Sequence, residues 1–211
     1  MKKKLLILFF AVVSVSACST KEKSEAPHEK TAQVVQLAEA DKQEYLAKGK
    51  EMVSITMKTL GGNLMKAMKE NGVAHAAEFC NLKASPLVDS LQNVYHASIR
   101  RATLKPRNQE NLATAQEEEI INAYMEQMKS ENAELKPIVK MSGSDTVSFY
   151  APIKIPAAMC LKCHGAVGTE VSEEDYKKVK ELYPNDKAVG YKEGELRGIW
   201  SIHFPVAKEK M

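Results

Sequence analysis

Residues Cys160-Leu161-Lys162-Cys163-His164 set two thiols three positions apart, with an imidazole directly after the second. That spacing is the c-type haem attachment motif. The two thiols add across the two vinyl groups of a haem as thioethers, and the adjacent imidazole reaches one face of the iron as an axial ligand. Two other chemistries use a Cys-x-x-Cys pair. A zinc site needs two more ligands at close spacing, and no second Cys/His pair occurs. A thioredoxin-like pair opens a helix inside a βαβ unit, whereas here the pair follows a hairpin pattern. The reading is therefore one covalently bound haem c, attached at Cys160 and Cys163, with His164 as its proximal ligand.

The N-terminus points to export. Lys2, Lys3 and Lys4 precede an apolar run from Leu5 to Val15 that is too short to span a bilayer. The run ends in Val15-Ser16-Ala17-Cys18, which resembles a bacterial lipobox. The alternative is an ordinary cleaved signal peptide with an incidental cysteine. The expected division is a signal peptide over 1–17, a flexible tether over 18–32 and a haem c domain with an N-terminal helix over 33–211. Cys18 is the expected lipidation site, and a doubly acylated end gives stable membrane anchoring. The expected location is the cell envelope, lipid-anchored in the outer membrane and facing the periplasm. The formal charge of +3 equals the contribution of Lys2, Lys3 and Lys4, so the processed chain is neutral. Nothing in that balance favours nucleic acid as a partner.

Of the four cysteines, lipid accounts for Cys18 and haem for Cys160 and Cys163. Cys80 is left over, and a spare thiol in an oxidising compartment requires a reason.

The surrounding pattern shows which elements position these groups. Residues 33–67 read as one long helix, with Leu46, Val53, Leu60 and Ala67 every seventh residue and a bend expected at Gly61-Gly62. Val73 to Ala84 is a second helical stretch that aligns Val73, Ala77, Cys80 and Ala84 on one face. Pro86 opens a third helix through Tyr95, and His96 to Leu104 is extended. Thr114-Ala115-Gln116-Glu117 is a capping box for another helix. Leu135–Met141 and Val147–Ile155 flank the turn Ser142-Gly143-Ser144-Asp145. Val147, Phe149, Ala151, Ile153 and Ile155 alternate there with Ser148, Tyr150, Pro152 and Lys154, which gives an antiparallel hairpin. Ser172 starts a short helix closed off by Pro184. Trp200, Ile202, Phe204 and Val206 alternate along a last strand. The order implies an α+β fold with helices packed on a small antiparallel sheet.

The second axial ligand is open at the level of pattern. Cys80 lies on an apolar helical face, where a buried free cysteine and an iron ligand are equally good readings. His75 and His96 are further candidates. His28 falls in the tether, and His203 alternates away from Trp200, Ile202 and Phe204. Met52, Met57, Met65 and Met68 form a stripe that suits core packing better than ligation. Arg101, Lys105 and Arg107 are candidates for contacts to haem propionates or another anion, set against a solvated strand end.

Three segments resemble a known family. They are Phe79-Cys80-Asn81 with Pro86 beyond it, Arg100-Arg101-Ala102-Thr103-Leu104-Lys105-Pro106-Arg107-Asn108, and the Cys160–His164 motif with a late Gly198-Ile199-Trp200. Together they resemble the Tll-type single-haem c domains, over about Ala47 to Val206. The resemblance implies a PAS-like antiparallel sheet flanked by helices, and it implies that Cys80 is the second axial ligand. The sequence departs from that family at Gln109 and Leu112.

Three roles follow from such a site. A His/Cys-ligated iron suits a redox or small-ligand sensor, with its output through a separate, unidentified signalling or redox partner because no output segment follows Val206. A periplasmic electron-transfer cytochrome c is the alternative. A peroxidase-like enzyme ranks last, since it needs an open iron and an acid/base side chain such as His75 or His96.

Overall fold

The computed structural model describes residues 37–206. The segments expected to be a signal peptide and a tether, with Cys18 and His28, lie outside the described residues. In chain order the elements are α1 (Glu39–Leu82), α2 (Ala84–Tyr95), β1 (Ser98–Ala102), a 3-10 turn (Gln109–Asn111), α3 (Ala115–Gln127), β2 (Ile138–Met141), β3 (Thr146–Lys154), α4 (Ala158–His164), α5 (Glu173–Leu182) and β4 (Leu196–Pro205). The described strands form one antiparallel sheet of order β1-β4-β3-β2. The architecture is α+β with a long N-terminal helix, as the order of the elements implies, and its antiparallel sheet is flanked by helices in the PAS-like manner that the resemblance implies.

Alternation sets the two faces of the sheet. Ile99, Val147, Phe149, Ala151, Trp200, Ile202 and Phe204 point to the face covered by α1 and α2. Ala102, Tyr150 and Ile199 point to the other, where Ile120, Ile121 and Tyr124 of α3 cover them. That second cover explains a departure from simple alternation. Ser148, Tyr150 and Ser201 were the polar-side positions of their strands, yet all three are fully buried. The two serine hydroxyls are absorbed locally, Ser148 Oγ lying 2.7 Å from His203 Nδ1 and Ser201 Oγ 3.1 Å from His203 Nε2, whereas the Tyr150 hydroxyl has no hydrogen-bond partner among the described residues. The α3 capping box forms as expected, with Glu117 also pairing with Arg100 at 2.9 Å.

The first part of α1 lies on the sheet along a stripe of Gly49, Met52, Thr56 and Leu60. Spacings of three and four residues keep these on one side. The Thr56 hydroxyl, which would otherwise be an unpaired buried donor, donates to the Met52 carbonyl at 2.7 Å. The bend expected at Gly61-Gly62 is not there; helix runs through both. The break falls instead at Asn71-Gly72, where Gly72 takes φ 76 and ψ −164. Only glycine adopts that conformation cheaply. Beyond it, the tail of α1 turns to dock on α5 through Ala77, Val179 and Tyr183. Tertiary docking, not the glycine pair, decides where the helix breaks.

Gly49 is the point of closest approach between α1 and the sheet: a Cβ there would overlap the fully buried Phe149 ring. Gly49→Ala gains about 1 kcal/mol of helix propensity, but overpacking a filled core costs about 1–3 kcal/mol. The ring has no room to retreat, so the variant is expected to unfold at a temperature several degrees lower. A raised melting temperature would mean that α1 can lift from the sheet.

Candidate functional site

At the end of the α1-covered face, beyond Trp200, the sheet gives way to a cavity. Gly198 follows the same face but carries no side chain. The cavity is lined by Cys80, Arg101, Thr103, Arg107, Ile153, His164, Tyr183 and Arg197, among others. Cys80 comes from the tail of α1 and His164 from the last residue of α4, so two remote segments meet around one space.

His164 is held in a defined state. Its Nδ1 lies 2.7 Å from the Ala188 carbonyl, which can only accept, so Nδ1 carries the proton. The lone pair is then on Nε2. Burial, reinforced by Arg197 and Arg107, holds the imidazole well below its ordinary pKa. A neutral ring with one nitrogen tied to a carbonyl is the form in which histidine binds a metal. The Tyr191 N–H donates to the His164 carbonyl at 2.9 Å, and the Tyr191 ring meets the imidazole edge-on at 6.3 Å.

A buried ion pair positions the segment that does this. The Asp186 side chain is fully buried. It accepts from Arg107 Nε at 3.1 Å, from Arg107 Nη2 at 3.3 Å and from the Ala188 N–H at 2.9 Å. Arg107 Nη2 also donates to the Cys163 carbonyl at 2.6 Å. One guanidinium thus ties the loop after α5 to the helix that carries the Cys-x-x-Cys-His motif.

Cys160 and Cys163 lie one turn apart on α4, so both thiols project from the same side. They and Cys80 are free thiols. Burial pushes the Cys163 thiol up to about 11. It also raises Cys80, against the opposing charges of Arg101 and Arg107. Among the described residues, no group of three or more His, Cys, Asp or Glu is placed to hold a bare metal ion.

The other candidates from the sequence fall as follows. Arg101 and Arg107 line the cavity. Lys105 does not: its Nζ donates to the Val189 carbonyl at 2.7 Å and lies 4.4 Å over the Tyr191 ring. His75 sits among Glu70 and Glu78 on the surface of α1, and His96 is the exposed left-handed cap of α2. His203 lies on the α3 side with Ser148 and Ser201. Met52 is core, Met57 is exposed, and neither lines the cavity, nor do Met65 and Met68. Three residues that shape the site went unremarked in the sequence: Tyr183, Asp186 and Arg197. Only Arg197 carried a signal, as a cation next to the Gly198-Ile199-Trp200 segment.

The model of the Tll0287-like family matches residues 20–205. No curated protein matches the chain. Among solved structures, the chain is similar to the crystal structure of the cyanobacterial haem protein Tll0287, at 21% identity and a TM-score of 0.58. The likeness covers 77% of this chain and 95% of that one.

The Arg107–Asp186 pair sets a stability test. Asp186→Asn leaves a mostly buried guanidinium without its acid, and breaking such a pair costs about 3–5 kcal/mol. Thermal unfolding of the variant is expected roughly 6–20 °C lower, at about 2–4 °C per kcal/mol for a domain of this size. Replacing both partners with apolar residues is expected to recover much of that loss. A single variant within about 1 kcal/mol of the parent would show the pair to be solvated.

Proposed function

We propose, from the premise that the chain belongs to the Tll0287-like family, that it is a haem c protein of the cell envelope acting as a redox or small-ligand sensor. The observation that carries this reading is the meeting of Cys80 and His164 at one cavity, beside the Cys160–Cys163 pair. In this reading Cys160 and Cys163 form the two thioethers, and His164 and Cys80 are the axial pair. The donor set fits: His164 offers a neutral imidazole with Nε2 free, and Cys80 offers a soft thiol beside two guanidinium groups. When bound, the haem supplies one redox-active iron, with a potential that a thiolate ligand lowers.

The chain's own residues suggest how a signal would arise. His164 is clamped through Ala188, Asp186 and Arg107, and is the fixed ligand. Cys80 sits on the tail of α1 beyond the Gly72 break and makes no side-chain hydrogen bond among the described residues, so it would be the ligand to yield. Loss of the Cys80 bond would be felt by that tail, and through it by α1 and a separate protein partner. A ligand side chain at each axial position leaves little place for substrate, which favours sensing over turnover.

Electron transfer is the second reading. Met159 and Val167, beside the motif, are exposed apolar side chains at 46% and 37%. They offer contact for a redox partner near the attachment site.

The anchor is part of the proposal. Cys18 carries lipid, and the domain faces the periplasm from the outer membrane.

Three outcomes test these statements. Protein matured in cells competent for cytochrome c assembly is expected to carry the mass of one haem, lost when Cys160 and Cys163 are changed to Ser. In that protein, Cys80→Ser is expected to convert a six-coordinate, thiolate-ligated absorption spectrum to one that takes up carbon monoxide or imidazole readily. An unchanged spectrum would remove Cys80 from the axial position. Separately, Cys18→Ser is expected to move the chain from the membrane fraction to the soluble fraction, and to abolish fatty-acid labelling. Retention of label would place the lipid elsewhere.

A further inference from the structure

Arg197 stands out as a cation without an acid. Among the described residues, neither Arg197 nor Arg101 forms an ion pair. Arg197 Nη1 donates to Thr103 Oγ1 at 2.8 Å, and its guanidinium lies 5.3 Å over the Tyr191 ring. Its Nε is shut off from solvent with no hydrogen-bond partner. The Arg101 side chain makes no hydrogen bond among the described residues, although Arg100 beside it makes three. Both side chains line the cavity that holds Cys80 and His164.

The backbone explains how Arg197 reaches that cavity. Ile153 pairs with Gly198 and Lys154 pairs with Leu196, so Arg197 is the extra residue of a β-bulge. Bulges re-aim a side chain that strict alternation would send to the other face.

Charge then limits what the cavity can take. Three arginines border it, and Asp186 neutralises one of them, Arg107. Two guanidinium charges remain uncompensated in a partly desolvated space, which is unfavourable without an anion. Guanidinium groups bind carboxylates by paired, parallel hydrogen bonds. A haem carries two propionate carboxylates, one for each free arginine.

We infer that Arg101 and Arg197 are the carboxylate-binding pair of this cavity and take the haem propionates, while Arg107 serves Asp186. This rests on the haem reading above. It revises the assignment drawn from sequence: Arg197 enters, Lys105 leaves for Val189 and Tyr191, and Arg107 acts as a brace.

The test uses full-length protein matured with haem, as wild type, Arg197→Gln, Arg101→Gln and Arg197→Lys. Each is examined by mass, by the propionate-bending bands of its resonance Raman spectrum and by its reduction potential, with and without added acetate. The glutamine variants are expected to keep the haem mass, since the thioethers hold it. Their propionate bands are expected to shift, and their potentials to fall as a cation leaves the haem. Arg197→Lys is expected to restore much of the potential but not the bands, because an ammonium lacks the planar fork. Arg101→Gln breaks no hydrogen bond, so it decides the matter if Arg197→Gln fails to fold. Loaded glutamine variants with wild-type bands and potential would overturn the assignment. So would acetate that shifts the wild-type spectrum but not that of Arg197→Gln, which would make the pair a receptor for soluble carboxylates. A wild-type chain without the haem mass would defeat the underlying haem reading instead, and is recognised by mass alone.

Discussion

The contact between Arg107 and Asp186 is the constraint on which the site depends. It joins three parts of the chain distant in sequence: the segment after β1, the loop after α5 and the helix bearing the Cys-x-x-Cys-His motif. Each of the two side chains spends its hydrogen-bonding capacity on backbone as well as on its partner. Arg107 holds the Cys163 carbonyl, and Asp186 holds the Ala188 amide. The Ala188 carbonyl is thereby presented to His164 Nδ1. A charge pair of this kind contributes little net stability when compared with an apolar substitute. Its value here is geometric, because it determines which imidazole nitrogen remains available.

The sheet supplies the rigid frame for this arrangement. Along β4 its two faces are filled by large side chains from Phe204 and Ile202 back to Trp200 and Ile199, near the start of the strand. The filling stops at Gly198, and polar and sulfur-bearing side chains from four segments take over. A packed core thus passes into a cavity along one strand. The helices contribute unequally. The front of α1 and all of α3 serve the core, whereas the tail of α1 brings Cys80 to the cavity edge.

Much of this could be read from the sequence, and the parts that could not have specific causes. The Cys160–His164 motif, the Thr114 capping box and the alternation of β3 and β4 are local signals, and local structure follows them. The break in α1 was misplaced because several glycines in a helix look alike until something must dock; here Ala77 meeting Val179 and Tyr183 selects Gly72 over Gly61-Gly62. Cys80 was ambiguous because a face of small apolar residues serves a core and a ligand equally well. Asp186 follows Pro184 and Asn185 in a segment with no period, so nothing local marks it. Arg197 was hidden by its bulge, since a period of two assigns it to the wrong face. Lys105 looked equivalent to Arg101 and Arg107 in a basic run, but it lies past the end of β1, where its ammonium is taken by the Val189 carbonyl.

The direction of β4 has a mechanical consequence. At one end the strand borders the cavity through Gly198; at the other, Phe204 packs against Tyr45 near the beginning of α1, with ring centroids 5.2 Å apart. Six residues of strand separate the two, roughly 20 Å. A load applied at the start of α1 is therefore received at the pole of the sheet opposite the cavity, and the covalent route from there to Cys80 runs the length of α1 through its break at Gly72.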